Sequence, residues 1–480
     1  MSDSPSAKAC DVVVIGSGPN GFAAAITLAR AGKSVLLLEA KDTVGGGMRS
    51  TELTLKGFVH DVCAAIHPLG ATSPFFRSLP LKEHGLEFIH PDAPLAHPLE
   101  DGRVAMLERS LNATAAALGE DAAAYRNLLA PLSRDPEPLF DELLAPLHIP
   151  KHPLRMASFG LRAVRSATGL ADAKFKGDLA RGLFAGNAAH SFLPLDKPLT
   201  AAVGLMLMLS GHAFGWPVAR GGSRAIAASL ESYLKSVGGE VRTNHPVASM
   251  NDLPPARAYL FDVSPRNLAR IAGDQLPARF ANKLNRYRHG PAAFKLDWAL
   301  SEPIPWTNPA CLRAATVHVG GTIEQIAASE RATWGTEPSD RPFVLVGQQS
   351  LFDRSRAPGE RQQTGWAYCH VPNGYTGDMT QRIEAQVERF APGFRDTILA
   401  RHAMRPADFE AYNSNYIGGD ITGGVQDAFQ LFTRPTARWS PYTTPNPSIY
   451  ICSASTPPGA GVHGMCGYHA ARSALKRAFR

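Results

Sequence analysis

The chain has 480 residues, 44% hydrophobic and 19% charged, which is globular rather than disordered and long enough for two to four domains, or two large ones. Forty-nine Lys and Arg against 42 Asp and Glu leave a net +7, a balance that nucleic acid, a membrane surface or an anionic ligand would each answer. The densest apolar run, near 201–209, is about half the ~20 residues that cross a bilayer, and six cysteines without a Cys-x-x-Cys pair exclude a disulfide framework, a zinc ribbon and thioredoxin chemistry.

Residues 1–8 are polar and lack a signal-peptide pattern, which predicts a cytoplasmic protein with reduced thiols. Residues 11–15 form a short β-branched run of the kind buried in a parallel sheet. Gly16-Ser17-Gly18-Pro19-Asn20-Gly21 follows at once, residues 22–31 read as a helix that Gly32 ends, and 34–38 is a second strand closing on Glu39. A Gly-x-Gly-x-x-Gly between strand and helix, with an acid 23 residues after its first glycine, is the dinucleotide fingerprint. Gly16 permits the tight turn, Gly18 lets the backbone approach a pyrophosphate, and Gly21 lets helix and strand pack closely. The helix N-terminus offers free N–H groups to the anion, and Glu39 is placed to accept ribose hydroxyls.

A second glycine cluster, Gly45-Gly46-Gly47-Met48-Arg49, suits a further close approach to a diphosphate and points to FAD rather than a nicotinamide cofactor; Gly57-Phe58-Val59-His60-Asp61 comes soon after. Beyond it, 81–214 looks helical, with Ala/Leu-rich stretches at 113–118, 121–129 and 198–210. Segment 151–181 carries seven bases against Asp172 and Asp178, a net +5, interleaved with Leu154, Met156, Phe159, Leu161, Val164 and Leu170. Such a segment fits a membrane interface, or an ordinary solvated helix with one buried face. The stretch 286–439 alternates better and offers strands at 293–300, 343–347 and 365–371. The far end repeats the strand, glycine loop, helix theme: a strand at 448–452, a loop through Gly459, Gly461 and Gly464, and a helix over 465–480 whose N-terminus is free to face negative charge on a cofactor ring.

These motifs, Gly16-x-Gly18-x-x-Gly21 with Glu39, Gly45-Gly46-Gly47-Met48-Arg49 and Pro458-Gly459-Ala460-Gly461-Val462-His463-Gly464, resemble the phytoene desaturase-like family of FAD-dependent oxidoreductases, within the amine oxidase superfamily. Interior segments agree: Gly221-Gly222 before a helix, Gly238-Gly239-Glu240-Val241-Arg242-Thr243 with Val247, and 260–265. His318-x-Gly320-Gly321 and Asn413-x-Asn415-x-x-Gly418-Gly419-Asp420 are most similar to the bacterial branch akin to pyridine nucleotide-disulphide oxidoreductase domain-containing protein 2.

The resemblance implies an α/β fold. Its Rossmann-like FAD domain, of the glutathione-reductase type, would be discontinuous over 1–80, 215–285 and 440–480. An α+β substrate domain would take 81–214 and 286–439, with a helical, membrane-facing part near 151–181. The cofactor implied is FAD, which accepts or returns a hydride at the flavin N5. The implied substrate is large and apolar, a carotenoid, isoprenoid or lipid, to be desaturated, saturated or isomerised.

The implied cofactor contacts are Gly16, Gly18, Pro19, Asn20, Gly21, Glu39, Ala40, Gly46, Gly47, Met48 and Arg49, then Val247, then Gly461, Val462, His463, Gly464 and Met465. His67 and His463 are the candidates for proton exchange beside the ring, each with a structural role as its other reading. Tyr368 and His370, two apart on an expected strand, share a face; Asp420 is read as capping a loop, and Cys466 as core. A flavin amine oxidase and a non-catalytic FAD-binding scaffold stay open as alternatives. No metal site and no nucleic-acid module is expected, while peripheral membrane contact and oligomerisation are left open.

Overall fold

The computed structural model describes residues 10–479. The polar start at 1–8 and Arg480, the last residue of the expected terminal helix, lie outside the described residues.

Five strands lie side by side in the order Ile449–Ile451, Ala256–Phe261, Cys10–Ile15, Val35–Leu38 and Glu240–Arg242, all parallel. Both faces of this sheet are covered at its centre, which is why 12–15 and Val35–Leu38 read as unbroken apolar runs, while the edge strand Glu240–Arg242 is polar. Val12, Val14, Val35 and Leu37 pack with Phe22 and Ile26 of the helix Pro19–Arg30. Val13, Ile15, Leu36 and Leu38 pack on the other side with Leu268 and Ile271 of Pro265–Ala272 and with Leu284 of Ala278–Asn285. The first helix begins at Pro19, earlier than the apolar run suggested, because a proline's fixed φ suits the first helical turn. The last helix, Met465–Ala478, lies against it so closely that a Cβ on Gly467 would stand 1.8 Å from the Asn20 carbonyl oxygen.

A second sheet of seven strands is ordered Ile398–Met404, Ala292–Leu300, Gln363–Val371, Val344–Gly347, Thr316–Val319, Leu95–Pro98 and Val104–Leu107. Neighbours are antiparallel except at the parallel contact between Val317 and Ala96. One face buries Phe294, Leu296, Trp298, Val346 and Cys369 against Ile383 and Val387 of the helix Thr380–Glu388. The opposite face turns Ala293, Lys295, Leu345 and Tyr368 toward a cavity. The strands Leu95–Pro98 and Val104–Leu107 fall in the stretch read as helical, which corrects that reading. They are short and buried nearly throughout, so they lack the apolar–polar alternation that marks a strand. Helices do fill the rest of that stretch, from Leu111–Ala117 to Asp178–Ala189 and Thr200–Ala213, and the last two bring His190, Val203, Met206 and Leu207 to the cavity.

Among the described residues no helix is long and apolar enough to cross a membrane, and no group of three or more His, Cys, Asp or Glu is placed to hold a metal ion. All six cysteines are free thiols.

Candidate functional site

A cavity of about 660 Å³ runs from the glycine loop of the parallel sheet to the inner face of the mixed sheet. Ligand sites of ~300–1,000 Å³ are ordinary in size. At the first end Gly16 turns with φ +99°, and a Cβ on Gly18 would fall 2.7 Å from Asp262 Oδ2. A Cβ on Gly46 would fall 3.1 Å from Gly18 Cα, so the two glycine loops touch where both meet the cavity. Asp262 lies beneath them and accepts the Gly21 N–H at 2.8 Å. Burial pushes its carboxyl up to about 7, the Glu39 charge adding to the push and the Gly21 N–H opposing it.

Glu39 is held by the chain on both oxygens. Oε2 accepts from Ser17 N at 3.1 Å and Ser17 Oγ at 2.5 Å; Oε1 accepts from Lys41 N at 3.0 Å and pairs with Arg49 Nη2 at 3.1 Å. A carboxylate has about four acceptor positions, so a ribose hydroxyl must share one of these. Arg49 also donates to Thr43 O and lies 5.7 Å from the centre of the Tyr412 ring. Val247 is set beside this end because the amides of Asn244 and His245 donate to Lys41 O and Glu39 O, each at 2.8 Å.

Of the residues expected from the sequence, Gly16, Gly18, Pro19, Asn20, Glu39, Ala40, Gly46, Gly47, Arg49, Val247, Gly461, Val462 and His67 all line the cavity. Gly21, Met48, His463, Gly464 and Met465 stand behind the lining. A Cβ on Gly21 would overlap the Gly16 carbonyl oxygen at 1.9 Å, so its work is to seat helix on strand. Met48 and Met465 are core, and Gly464, at φ +71°, starts the last helix against Ala23 and Phe76.

His463 takes the structural one of its two readings. Its Nε2–H donates to Gly459 O and Ala460 O at 3.2 Å, and its Nδ1 accepts from Met465 N at 3.0 Å. Both ring nitrogens are therefore used to shape the loop, and burial holds the ring down to about 4. His67 does face the cavity, where its Nε2 is 2.9 Å from Ser223 Oγ. Ser223 gives its own proton to Ala64 O at 2.5 Å, so the network assigns the His67 proton to Nε2 and leaves Nδ1 a buried acceptor without a protein partner. Burial holds His67 down to about 4 as well, which makes it a fixed neutral acceptor at neutral pH rather than a proton store.

The motif ending in Asp61 acts through a buried network. Asp61 Oδ2 takes Arg356 Nη1 at 2.8 Å, Arg356 Nε meets Asp353 Oδ2 at 2.9 Å, and Asp61 Oδ1 takes Ser223 N at 2.7 Å and Ser50 Oγ at 2.6 Å. This ties the hairpin after the second glycine cluster to the segment that orients His67. Asp420 caps its loop, accepting Thr422 N at 2.8 Å and Gly290 N at 3.0 Å.

Lys295 was not foreseen. It is 1% exposed, lines the cavity and is paired with the buried Asp297, which also faces His60 and His402. Its signal was in the sequence: two charges spaced by two, hence on one face, inside the otherwise apolar strand Ala292–Leu300.

Residues 14–79 match the family described as NAD(P)-binding Rossmann-like domain. The whole chain superposes on putrescine oxidase bound to putrescine with a TM-score of 0.60 at 17% identity, over 98% of this chain and 100% of that one, which is a likeness of fold. The residues fit FAD. Bare backbone at Gly16, Gly18 and Gly46 leaves space for a diphosphate, and the cavity continues past it toward the C-terminal glycine loop and the mixed sheet. Fold and site thus define a Rossmann-type dinucleotide-binding protein whose cavity fits FAD.

Two relatives extend over the full length. A component of the limonene dehydrogenase of Castellaniella defragrans is 31% identical over 97% of this chain and 94% of its own. The pyridine nucleotide-disulfide oxidoreductase domain-containing protein 2 of Rattus norvegicus is 24% identical over 96% and 92%. The chain belongs to the family of the limonene dehydrogenase component and is similar along its length to the second protein.

Proposed function

We propose that the protein acts on the C=C or CH–CH bonds of a large apolar substrate, a carotenoid, isoprenoid or other lipid. The observation that carries this reading is the wall of the cavity beyond the glycine loops, where Ile66, Leu69, Phe192, Val203, Met206 and Leu207 gather. The acids that line the cavity, Glu39 and Asp262, both belong to the nucleotide end. An ammonium substrate would find no carboxylate in the lining beside the mixed sheet, where Asp297 is already paired with Lys295. A relative named for limonene, an unsaturated hydrocarbon, adds support.

When bound, FAD supplies the hydride acceptor or donor. The backbone at Gly16, Gly18, Gly46 and Gly47 with Arg49 would hold the diphosphate, Val247 would flank the adenine end, and Gly461 and Val462 would flank the ring. His67 would line the site as a neutral ring, fixed through its Nε2 on Ser223. The apolar wall excludes water and orients the substrate. A second reading, amine oxidase, is favoured by Trp366 and Tyr368, whose perpendicular rings stand 5.1 Å apart on the wall, since aromatic faces attract cations. The lack of a lining carboxylate there weighs against it.

Contact with a membrane surface belongs to the same proposal. Ile149 is 92% exposed, Leu154 87% and Leu161 75%, around the helix Pro153–Ala163, with Lys151 exposed beside them. Apolar side chains ringed by bases suit an interface from which a lipid is drawn. A dye-linked assay tests the catalytic reading: an artificial electron acceptor should be reduced with an unsaturated terpenoid or polyene and left unchanged with a primary amine. Reduction by the amine alone would sink it.

A further inference from the structure

The strands of the mixed sheet bring Lys295, Tyr368, Leu345 and His318 into one cross-strand row, with partners paired Lys295 to Tyr368, Tyr368 to Leu345 and Leu345 to His318. This row forms the floor of the apolar part of the cavity, where Lys295, Leu345 and Tyr368 reach the lining. Above it His190, just past the helix Asp178–Ala189, places its Nε2 3.1 Å from His318 Nε2.

The proton positions follow from what surrounds His318. Its Nδ1 is buried without a partner and faces the backbone of Gly186, on which a Cβ would fall 2.7 Å from that nitrogen. A buried N–H left unbonded is rarer and costlier than an unused lone pair. The His318 proton is therefore on Nε2, donated to His190 Nε2, and His190 carries its own proton on Nδ1. Burial, with His370 nearby, holds His190 down to about 3, and burial takes His318 well below its usual value, so the pair is neutral. Burial also pushes the Tyr368 phenol up, which keeps it an O–H donor.

His190 and Tyr368 both line the cavity, and neither His190 Nδ1 nor the Tyr368 hydroxyl is bonded to another group of the described chain or sealed inside it. Two neutral donors thus stand on either side of Leu345, and the one cation of the row, Lys295, is already paired with Asp297.

We propose that His190 and Tyr368 form an oxygen-recognition subsite, and that the substrate is an apolar molecule bearing a neutral hydrogen-bond-accepting oxygen, a ketone, aldehyde or alcohol. This deepens the reading of the cavity as an apolar substrate site and rests on it. Neutral donors match a carbonyl or hydroxyl oxygen and give no preference to a carboxylate.

The test uses the holoprotein, anaerobic, and two probes of the same skeleton, limonene and its ketone counterpart carvone. Binding is read from the perturbation of flavin absorbance. Carvone should bind about tenfold more tightly than limonene, the discrimination expected of one good neutral hydrogen bond. Tyr368→Phe should cut that ratio to about threefold or less, and His190→Gln should lower it as well. Equal binding of the two probes, or a tenfold ratio that survives both substitutions, overturns the subsite and leaves the apolar-substrate reading in place. Failure of both probes to bind overturns the two together.

Discussion

Asp262 shows how much one residue beneath the glycine loop can govern. Its carboxyl sits at about 7 when folded against the ordinary 3.8. Between those values the folded chain keeps a proton that the unfolded chain has released, so stability falls as pH rises from about 4 to about 7 and is level above that. Asp262→Asn keeps the acceptor for Gly21 N–H and removes the titration. Thermal unfolding from pH 4.5 to 8 should show the wild-type melting temperature falling more steeply than the variant's; parallel profiles would contradict the assignment. Gly18→Val pushes atoms toward Asp262 Oδ2, already 2.7 Å from a first Cβ, and into the diphosphate space. The variant should purify colourless, and a yellow one would refute the placement of FAD. Gly16 and Gly18 were legible in the sequence because only glycine meets a positive φ or so close an approach. Asp262 was not, since a lone charge after an apolar strand gains its meaning from chain segments far away; Lys295 left a signal in its spacing from Asp297, but not the cavity that it faces. His463 carried two readings because a histidine among glycines fits a loop cap as well as a catalytic base, and its hydrogen bonds are those of the cap.

The first and last helices hold the nucleotide end in place through glycines. A Cβ on Gly467 would lie 1.8 Å from Asn20 O, and Asn20 lines the cavity. Alanine favours a helix by up to ~1 kcal/mol over glycine, but overpacking against rigid backbone costs ~1–3 kcal/mol. Gly467→Ala should therefore lower the melting temperature and weaken FAD retention together, as thermal unfolding followed by flavin fluorescence would reveal. The helix Pro153–Ala163 makes its prediction at the same scale. Leu154→Asp with Leu161→Asp should abolish co-sedimentation with anionic lipid vesicles; unchanged binding would remove this helix from the interface. Its arginines are partly occupied at home, Arg155 on Asp135 and Arg162 on Ser158, and Arg165 beyond it donates to Gly169 O, while Lys151, Lys174 and Lys176 nearby are exposed cations. The parallel strands were readable from their apolar runs and glycine punctuation. The hairpin of Leu95–Pro98 and Val104–Leu107 was hidden, because it joins a sheet whose other strands lie some two hundred residues and more along the chain.

At the scale of the molecule, neither sheet is local. The parallel sheet collects strands from 10–38, 240–261 and 449–451, the mixed sheet from 95–107 and 292–404, and the cavity lies where the two meet. Its nucleotide end could be read from motifs, while its far wall depended on which side chains the mixed sheet and the helices would turn inward. Of the bases behind the net +7, Arg49 and Lys295 face the cavity, and Arg356 is buried between Asp61 and Asp353. The central claim is that electrons pass between this cavity's FAD and an apolar substrate. Anaerobic mixing of the oxidised holoprotein with unsaturated terpenoids, polyenes and amines, each in turn, tests it most directly. The flavin absorbance at about 450 nm should bleach with one or more of the apolar alkenes and stay constant with every amine. Bleaching by amines alone, or a flavin that dithionite reduces while no organic donor does, would contradict the account.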